Sequence, residues 1–257
     1  MEIAKDLHII PDLEMSNVCL ITGPEPALID TGLPGEGARI LGYMEQVGVS
    51  PRSLRVIALT HADPAHSGSA AWLRRETAAR LLASEAEAAV LAGQAPEGNL
   101  RALWRWGLRL TRRPTERCVV DGVLEPGDAV AGFQVVETPG HTLGHVAFYR
   151  EEDGVLIAGD ALRVSGSDIL APSFWNSASE VRARISVSHL ADLPITLLVP
   201  GHGNAYREPG AGLRRVGGPP GLLEETLRRR ALHRQRRGKR GSASRGGAPP
   251  TDGVGDR

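Results

Sequence analysis

The stretch Thr60-His61-Ala62-Asp63-Pro64-Ala65-His66-Ser67-Gly68 sets two imidazoles and a carboxylate within six residues. These are the side-chain types that ligate transition metals. In an extended segment, side chains two apart point the same way, so His61 and Asp63 can converge on one point. His66, at the turn into a following helix, can reach that point from the side, and Ser67 and Gly68 are small enough to let the helix start close by. The same residue types recur along the chain in Asp30-Thr31-Gly32, Pro139-Gly140-His141-Thr142-Leu143-Gly144-His145, Gly159-Asp160 and Pro200-Gly201-His202-Gly203. One such loop is a weak sign, because surface loops often carry His and Asp.

The elements that must position these residues are legible from hydrophobic pattern. Residues 3–10 and 17–22 alternate like strands, and 26–32 reads as a strand closing on Asp30. Residues 35–47 read as a helix with Ile40, Leu41, Met44 and Val47 on one face. An apolar run, Leu54 to Leu59, reads as the buried strand before His61. The Ala-rich segments 70–83 and 85–92 read as helices, as does 177–193. Apolar strands at 133–138, 145–149, 155–160 and 195–199 complete the set. Four of the apolar strands end in a loop bearing His or Asp, which points to one site assembled at one edge of the sheets. Residues 99–113 interleave apolar and Arg positions. They can line a groove with Trp104 or Trp106 and an Arg, or bury Leu103, Trp104 and Leu108 with the arginines in water; the second is favoured.

The chain of 257 residues, 41% hydrophobic, suffices for one sizeable core. No segment is long and apolar enough to cross a bilayer, and the N-terminus lacks a signal-peptide pattern, so a cytoplasmic protein without membrane partners is expected. Cys19 and Cys118 sit beside valines and read as buried thiols. The formal charge of zero hides an asymmetry, −8 over residues 1–206 and +8 over 207–257. The basic extension reads as a terminal helix over 220–237 followed by a disordered Gly/Ser/Pro-rich tail. A basic tail can touch nucleic acid, but most are simply solvated, and nucleic acid is not the expected partner. Nothing in the sequence addresses the oligomeric state.

With five ordered motifs between flanking strands, residues 1–206 resemble the metallo-β-lactamase-fold hydrolase superfamily. The resemblance implies an α/β fold, an αβ/βα four-layer sandwich of two mixed sheets with helices on the outer faces and a metal site at one edge. It also implies ligand roles, carried over position by position: His61, Asp63 and His141 for one ion, His66 and His202 for a second, and Asp160 bridging both. Asp30 would support from behind, and His145 would be a strand residue or a donor to a ligand. The chain departs from the family's His-x-His-x-Asp-His pattern twice, with Asp63 at the second His and Ala65 at the Asp. An alanine methyl cannot ligate, so the second site is expected to be weak or empty, whereas the Asp63 carboxylate can still reach a metal unless it turns away to cap the helix near His66.

The activity implied is hydrolysis of an ester, thioester or lactone-type carbonyl of a small-molecule substrate by a metal-held hydroxide, with Asp160 and His202 at the chemistry and one or two zinc ions as cofactor. Iron or manganese would suit the two carboxylates. Two other functions stand beside it: a mononuclear non-haem iron oxygenase resembling persulfide dioxygenases, and a binding protein with a degraded metal site. The fold itself does not choose the substrate.

Overall fold

The central strands are apolar without interruption because both their faces are buried. In β3 (Cys19–Ile21) the side chains of Cys19 and Ile21 point one way and Leu20 the other, and β4 (Ala27–Ile29) and β5 (Val56–Ala58) repeat the alternation. A computed structural model of the chain describes residues 1–95, 115–172 and 177–218. The readings of 99–113, of the terminal helix and of the tail lie outside these residues.

Two mixed sheets face each other. The first runs in the order β1 (Glu2–Ala4), β2 (Leu7–Ile9), β3, β4, β5, β6 (Arg80–Ala83), β7 (Gly122–Val123). It is antiparallel up to β4 and parallel from β4 to β7. The second comprises β8 (Ala129–Val130), β9 (Phe133–Glu137), β10 (Val146–Arg150), β11 (Val155–Gly159), β14 (Leu197–Pro200) and β15 (Tyr206–Arg207), in the order β15-β14-β11-β10-β9-β8. Here β11 and β14 are parallel and the other pairs antiparallel. A hairpin, β12 (Arg163–Ser165) and β13 (Asp168–Leu170), stands apart.

Three apolar clusters fill the three interfaces between four layers. One joins the first sheet to α1 (Gly37–Gln46), α3 (Ala70–Thr77) and α4 (Glu85–Leu91), which flank the short α2 (Pro64–Ser67). The middle cluster joins the sheets through Ile29, Phe133, Phe148, Ile157 and Val199. The third joins the second sheet to α5 (Glu180–Leu190) and α6 (Gly210–Gly217) through Leu156, Leu198, Val187 and Leu213. This is the expected αβ/βα sandwich.

Two local expectations change. The helix read over 70–83 stops at Thr77, where Ala78 takes a left-handed conformation (φ 58°) and returns its N–H to Arg74. Arg80–Ala83 is a strand instead, since its pairing between β5 and β7 outweighs the helix propensity of Ala and Leu. The boundary expected after residue 206 falls inside a compact unit spanning Met1–Gly218. Tyr206–Arg207 pairs with β14, and Leu213 of α6 is buried against α5 and the second sheet, so local apolar packing overrides the change in charge.

Candidate metal centre

Strands β4, β5, β9, β11 and β14 all run toward one edge of the sandwich, and each delivers a polar residue there. β4 ends in Asp30, β5 in Thr60-His61, β9 in the loop to His141, β11 in Asp160 and β14 in His202. His61, His66 and His141 are buried, and His202 is the open member, with its side chain 34% exposed.

Asp160 lies at the centre. Its Oδ1 is 3.3 Å from His66 Nε2 and 3.2 Å from His202 Nε2. Its Oδ2 is 3.4 Å from His141 Nε2 and 4.0 Å from His61 Nε2. The Asp63 carboxylate completes the second group, with Oδ2 at 3.0 Å from His141 Nε2 and 3.5 Å from His61 Nε2. Asp63 occupies the N-cap position of α2 but makes no side-chain capping bond, so the capping role considered for it is not adopted. All six sequence-predicted residues therefore meet in one cluster, and two triads, His61–Asp63–His141 and His61–His66–Asp160, have ligand atoms within 4.8 Å of one another.

The donor set fits a cation on independent grounds. Thr60 Oγ1 spends its only proton on the acceptor-only Asp30 carboxylate, at 2.9 Å, so it must accept from His61 Nδ1 at the same distance. That leaves the His61 Nε2 lone pair facing Asp63 and Asp160, buried and without a hydrogen-bond partner. His202 Nδ1 can only donate to the Met15 carbonyl, 2.8 Å away, which turns its Nε2 toward the centre, 3.2 Å from Asp160 Oδ1 and 3.4 Å from His66 Nε2. His66 Nδ1 donates to Asp30 Oδ2 at 2.8 Å. Partners of this kind fix the tautomer and aim of ligating imidazoles. Asp160 Oδ1 is a second buried atom lacking a hydrogen bond, at the place where the two halves meet. His145 does not join the cluster's rim. Its Nε2 accepts from Asp160 N–H at 3.1 Å and its Nδ1 donates to Thr138 Oγ1 at 2.8 Å, so it holds the Asp160 backbone.

Two glycines are required by close approach. A Cβ on Gly201 would lie 2.3 Å from Asp160 Oδ1, and one on Gly68 would lie 2.3 Å from Pro34 N. Both stood in the sequence motifs. Glu87, Ser84 and Glu36 were not singled out from sequence. Both glutamates are buried; Glu87 accepts the Ala62 and Gly144 N–H groups in the loops that carry His61, Asp63 and His141, and Glu36 accepts those of Glu14 and Leu33, beside the segment of Met15.

Charge follows geometry. Burial alone would push the His66 imidazolium down, but the Asp160 and Asp30 carboxylates outweigh it and raise its pKa to about 10. His202 is raised by Asp160 against the same burial cost. His141 and His145 are lowered, chiefly by burial. Asp63 and Asp160 fall well below the carboxylate range, because hydrogen bonds from the adjoining imidazoles, chiefly His141 at Asp63 and the raised His66 and His202 at Asp160, outweigh burial. For a raised imidazole, the stabilisation is complete below the unfolded value of 6.5 and disappears as pH climbs through the folded value of about 10. For the lowered imidazoles and carboxylates, the contribution is lost as pH falls. With chelator present, the thermal midpoint is therefore expected to peak near the unfolded histidine value, roughly pH 6–7, and to decline toward pH 10. Thermal melts across pH 5–10 check this, and a midpoint flat from pH 7 to 10 contradicts a charged His66.

Comparison with known proteins gives a consistent result. The family model of the metallo-beta-lactamase superfamily matches residues 11–202. A hydroxyacylglutathione hydrolase of Ectopseudomonas mendocina is 30% identical over 63% of this chain and 51% of its own length. One from Haemophilus influenzae is 26% identical over 77% of this chain and 91% of its own. A metallo-beta-lactamase family protein from Thermus thermophilus superposes with a TM-score of 0.64 at 26% identity, covering 88% of this chain and 81% of that one. A protein solved in a di-iron-bound form superposes with a TM-score of 0.63 at 28% identity, covering 83% and 98%.

Proposed function

This chain belongs to the metallo-β-lactamase superfamily, and from that premise we propose that it is a metal-dependent hydrolase of an ester, thioester or lactone carbonyl. The observation that carries the reading is the Asp160 carboxylate, each of whose oxygens faces a different pair of imidazoles. His61, Asp63, His141 and Asp160 Oδ2 would hold one ion; His66, His202 and Asp160 Oδ1 would hold another. A divalent ion bound there acidifies a water and polarises a substrate oxygen. The first group carries two carboxylates, which suit iron or manganese as well as zinc and acidify that water less than imidazoles alone would. The second group has no carboxylate of its own, since Ala65 replaces the Asp of the family pattern.

Each residue then has a definite task. Asp30 and Thr60 hold His66 and His61 as Nδ1–H donors, so both Nε2 atoms face inward. His145 holds the Asp160 backbone. His202 is the most open member of the cluster and has a raised pKa. Where the second ion is absent, it keeps a proton at Nε2 and delivers it to the departing alkoxide or thiolate. Thioesters head the substrate classes, because several relatives are named hydroxyacylglutathione hydrolases. A cytoplasmic setting is in keeping with Cys19 and Cys118, both free thiols, and with a described chain in which no helix is long and apolar enough to cross a membrane.

His61, His141 and Asp160 also make up the two-histidine, one-carboxylate set of non-haem iron oxygenases. Asp63, 3.0 Å from His141, fills a position that oxygen would need open, which favours hydrolysis. Metal analysis of protein purified without chelator, with thioester, lactone, ester and phosphodiester assays and oxygen uptake on glutathione persulfide, separates the readings. About one transition-metal ion or more per chain with hydrolytic turnover is expected. Metal-free protein, or oxygen consumption without hydrolysis, overturns the proposal.

A further inference from the structure

The chain carries a Ser-x-x-Glu sequence, Ser84-Glu85-Ala86-Glu87, at the start of α4, which on a free helix forms a reciprocal capping box. The structure uses it otherwise. Ser84 occupies the N-cap but makes no side-chain capping bond. Its hydroxyl donates to the Gly144 carbonyl at 2.6 Å. The Glu87 carboxylate accepts from Gly144 N–H at 3.2 Å through one oxygen and from Ala62 N–H at 2.8 Å through the other. Gly144 is thus gripped at both ends of its backbone. A Cβ there would lie 2.6 Å from Ser84 Oγ and 2.9 Å from Glu87 Oε1.

The two N–H groups that Glu87 joins are not arbitrary. Ala62 lies between His61 and Asp63, and Gly144 lies between His141 and His145. These loops come from different sheets, His61–Asp63 from the end of β5 and His141 from the end of β9. One buried side chain therefore sets the separation of the loops that supply His61, Asp63 and His141. Neither oxygen of Glu87 touches the His66–His202 side. That side has a separate brace: buried Glu36 accepts from Glu14 N–H at 2.6 Å and Leu33 N–H at 2.7 Å, holding the segment whose Met15 carbonyl receives His202.

We propose that Glu87, assisted by Ser84, is a positioning residue that fixes the geometry and affinity of the His61–Asp63–His141 half of the centre and leaves the other half alone. The inference rests on the metal reading above. Its physical basis is that a carboxylate offers only acceptors, so it can serve two N–H donors at once, whereas an amide of the same shape must turn a donor toward one of them. An outer partner of a metal ligand typically governs affinity by about 10–100-fold.

Cobalt(II) titration of the full chain provides the test, followed by visible absorption and by competition with a chelator. In Glu87→Gln, the tighter cobalt ion is expected to weaken by about 10–100-fold with altered d–d bands, while Glu36→Gln leaves those bands unchanged. Ser84→Ala, which removes one bond and keeps the helix, should shift affinity in the same direction by less. It carries the test should Glu87→Gln fail to fold. Affinity and bands identical to the unsubstituted chain in Ser84→Ala and in folded Glu87→Gln overturn the inference alone. Equal perturbation of the bands by Glu36→Gln also overturns it, by showing general loosening. An unsubstituted chain that takes up no cobalt overturns the metal reading as well.

Discussion

Asp160→Asn is expected to lower hydrolytic kcat/KM by roughly 10²–10⁴-fold, the scale of about 3–5 kcal/mol for breaking one partner out of a buried charged constellation. The amide matches the carboxylate in shape, so the effect isolates charge and lone pairs. At present Oδ1 faces His66 and His202 while Oδ2 faces His141 and His61. An asparagine keeps one acceptor oxygen and turns an NH2 group toward the other pair of imidazoles, which cannot share an ion with it. It cannot swing away either, because Gly201 packs so closely that a single Cβ there would sit 2.3 Å from Oδ1. The Asp160 backbone stays held by His145, and Asp30 remains on His66 Nδ1, so the variant is expected to fold. Metal content per chain and steady-state hydrolysis should fall together, and the alkaline decline of the chelated protein's thermal midpoint should shift to lower pH as His66 loses a carboxylate. Turnover equal to that of the unsubstituted chain would remove Asp160 from the chemistry.

Much of this centre was legible before any coordinates, because strand ends are the one place where a period-two apolar run must stop and polar residues can cluster. His61, Asp63, His66, His141, Asp160 and His202 each follow such a run or its turn, and all six meet. The sandwich was legible for a related reason: Leu156, Ile157 and Ala158 can be continuously apolar only where both faces of a strand are covered. Reading failed where tertiary pairing overrode local preference. Arg80-Leu-Leu-Ala83 has helix-forming residues, yet it is a strand because β5 and β7 present unpaired edges on either side. It also missed Ser84 and Glu87, whose spacing signals a helix cap; that they serve a loop from the opposite sheet depends on contacts sixty residues away in sequence, such as Ser84 to Gly144. The change in charge places Arg207 to Gly217 in the extension, but the burial of Leu213 outweighs the arginines around it.

Restoring the family's carboxylate by Ala65→Asp is expected to tighten the ion on the His66–His202 side by roughly 100-fold or more. Two charges about 4 Å apart at an effective dielectric constant near 20 attract by about 4 kcal/mol, and direct ligation is closer still. Against this stand the ordering of one side chain and the repulsion of a third carboxylate beside Asp63 and Asp160, which together return about 1–2 kcal/mol. Ala65 is only partly buried, so a longer side chain has an exit, and its carbonyl is already held by the Ser16 hydroxyl, which keeps the α2 backbone in place. The opposing terms predict a crossing. In chelator at high pH, where His66 has lost its proton, the variant should melt below the unsubstituted chain, because nothing offsets the added charge. With saturating zinc it should melt above it and retain a second ion through dialysis. Hydrolysis should rise if a second ion shares in polarising the substrate. A variant that gains neither metal nor turnover would show that this side is not built to hold a cation. His202 would then act at Nε2 as a proton carrier in a one-ion centre, or the site would serve binding alone.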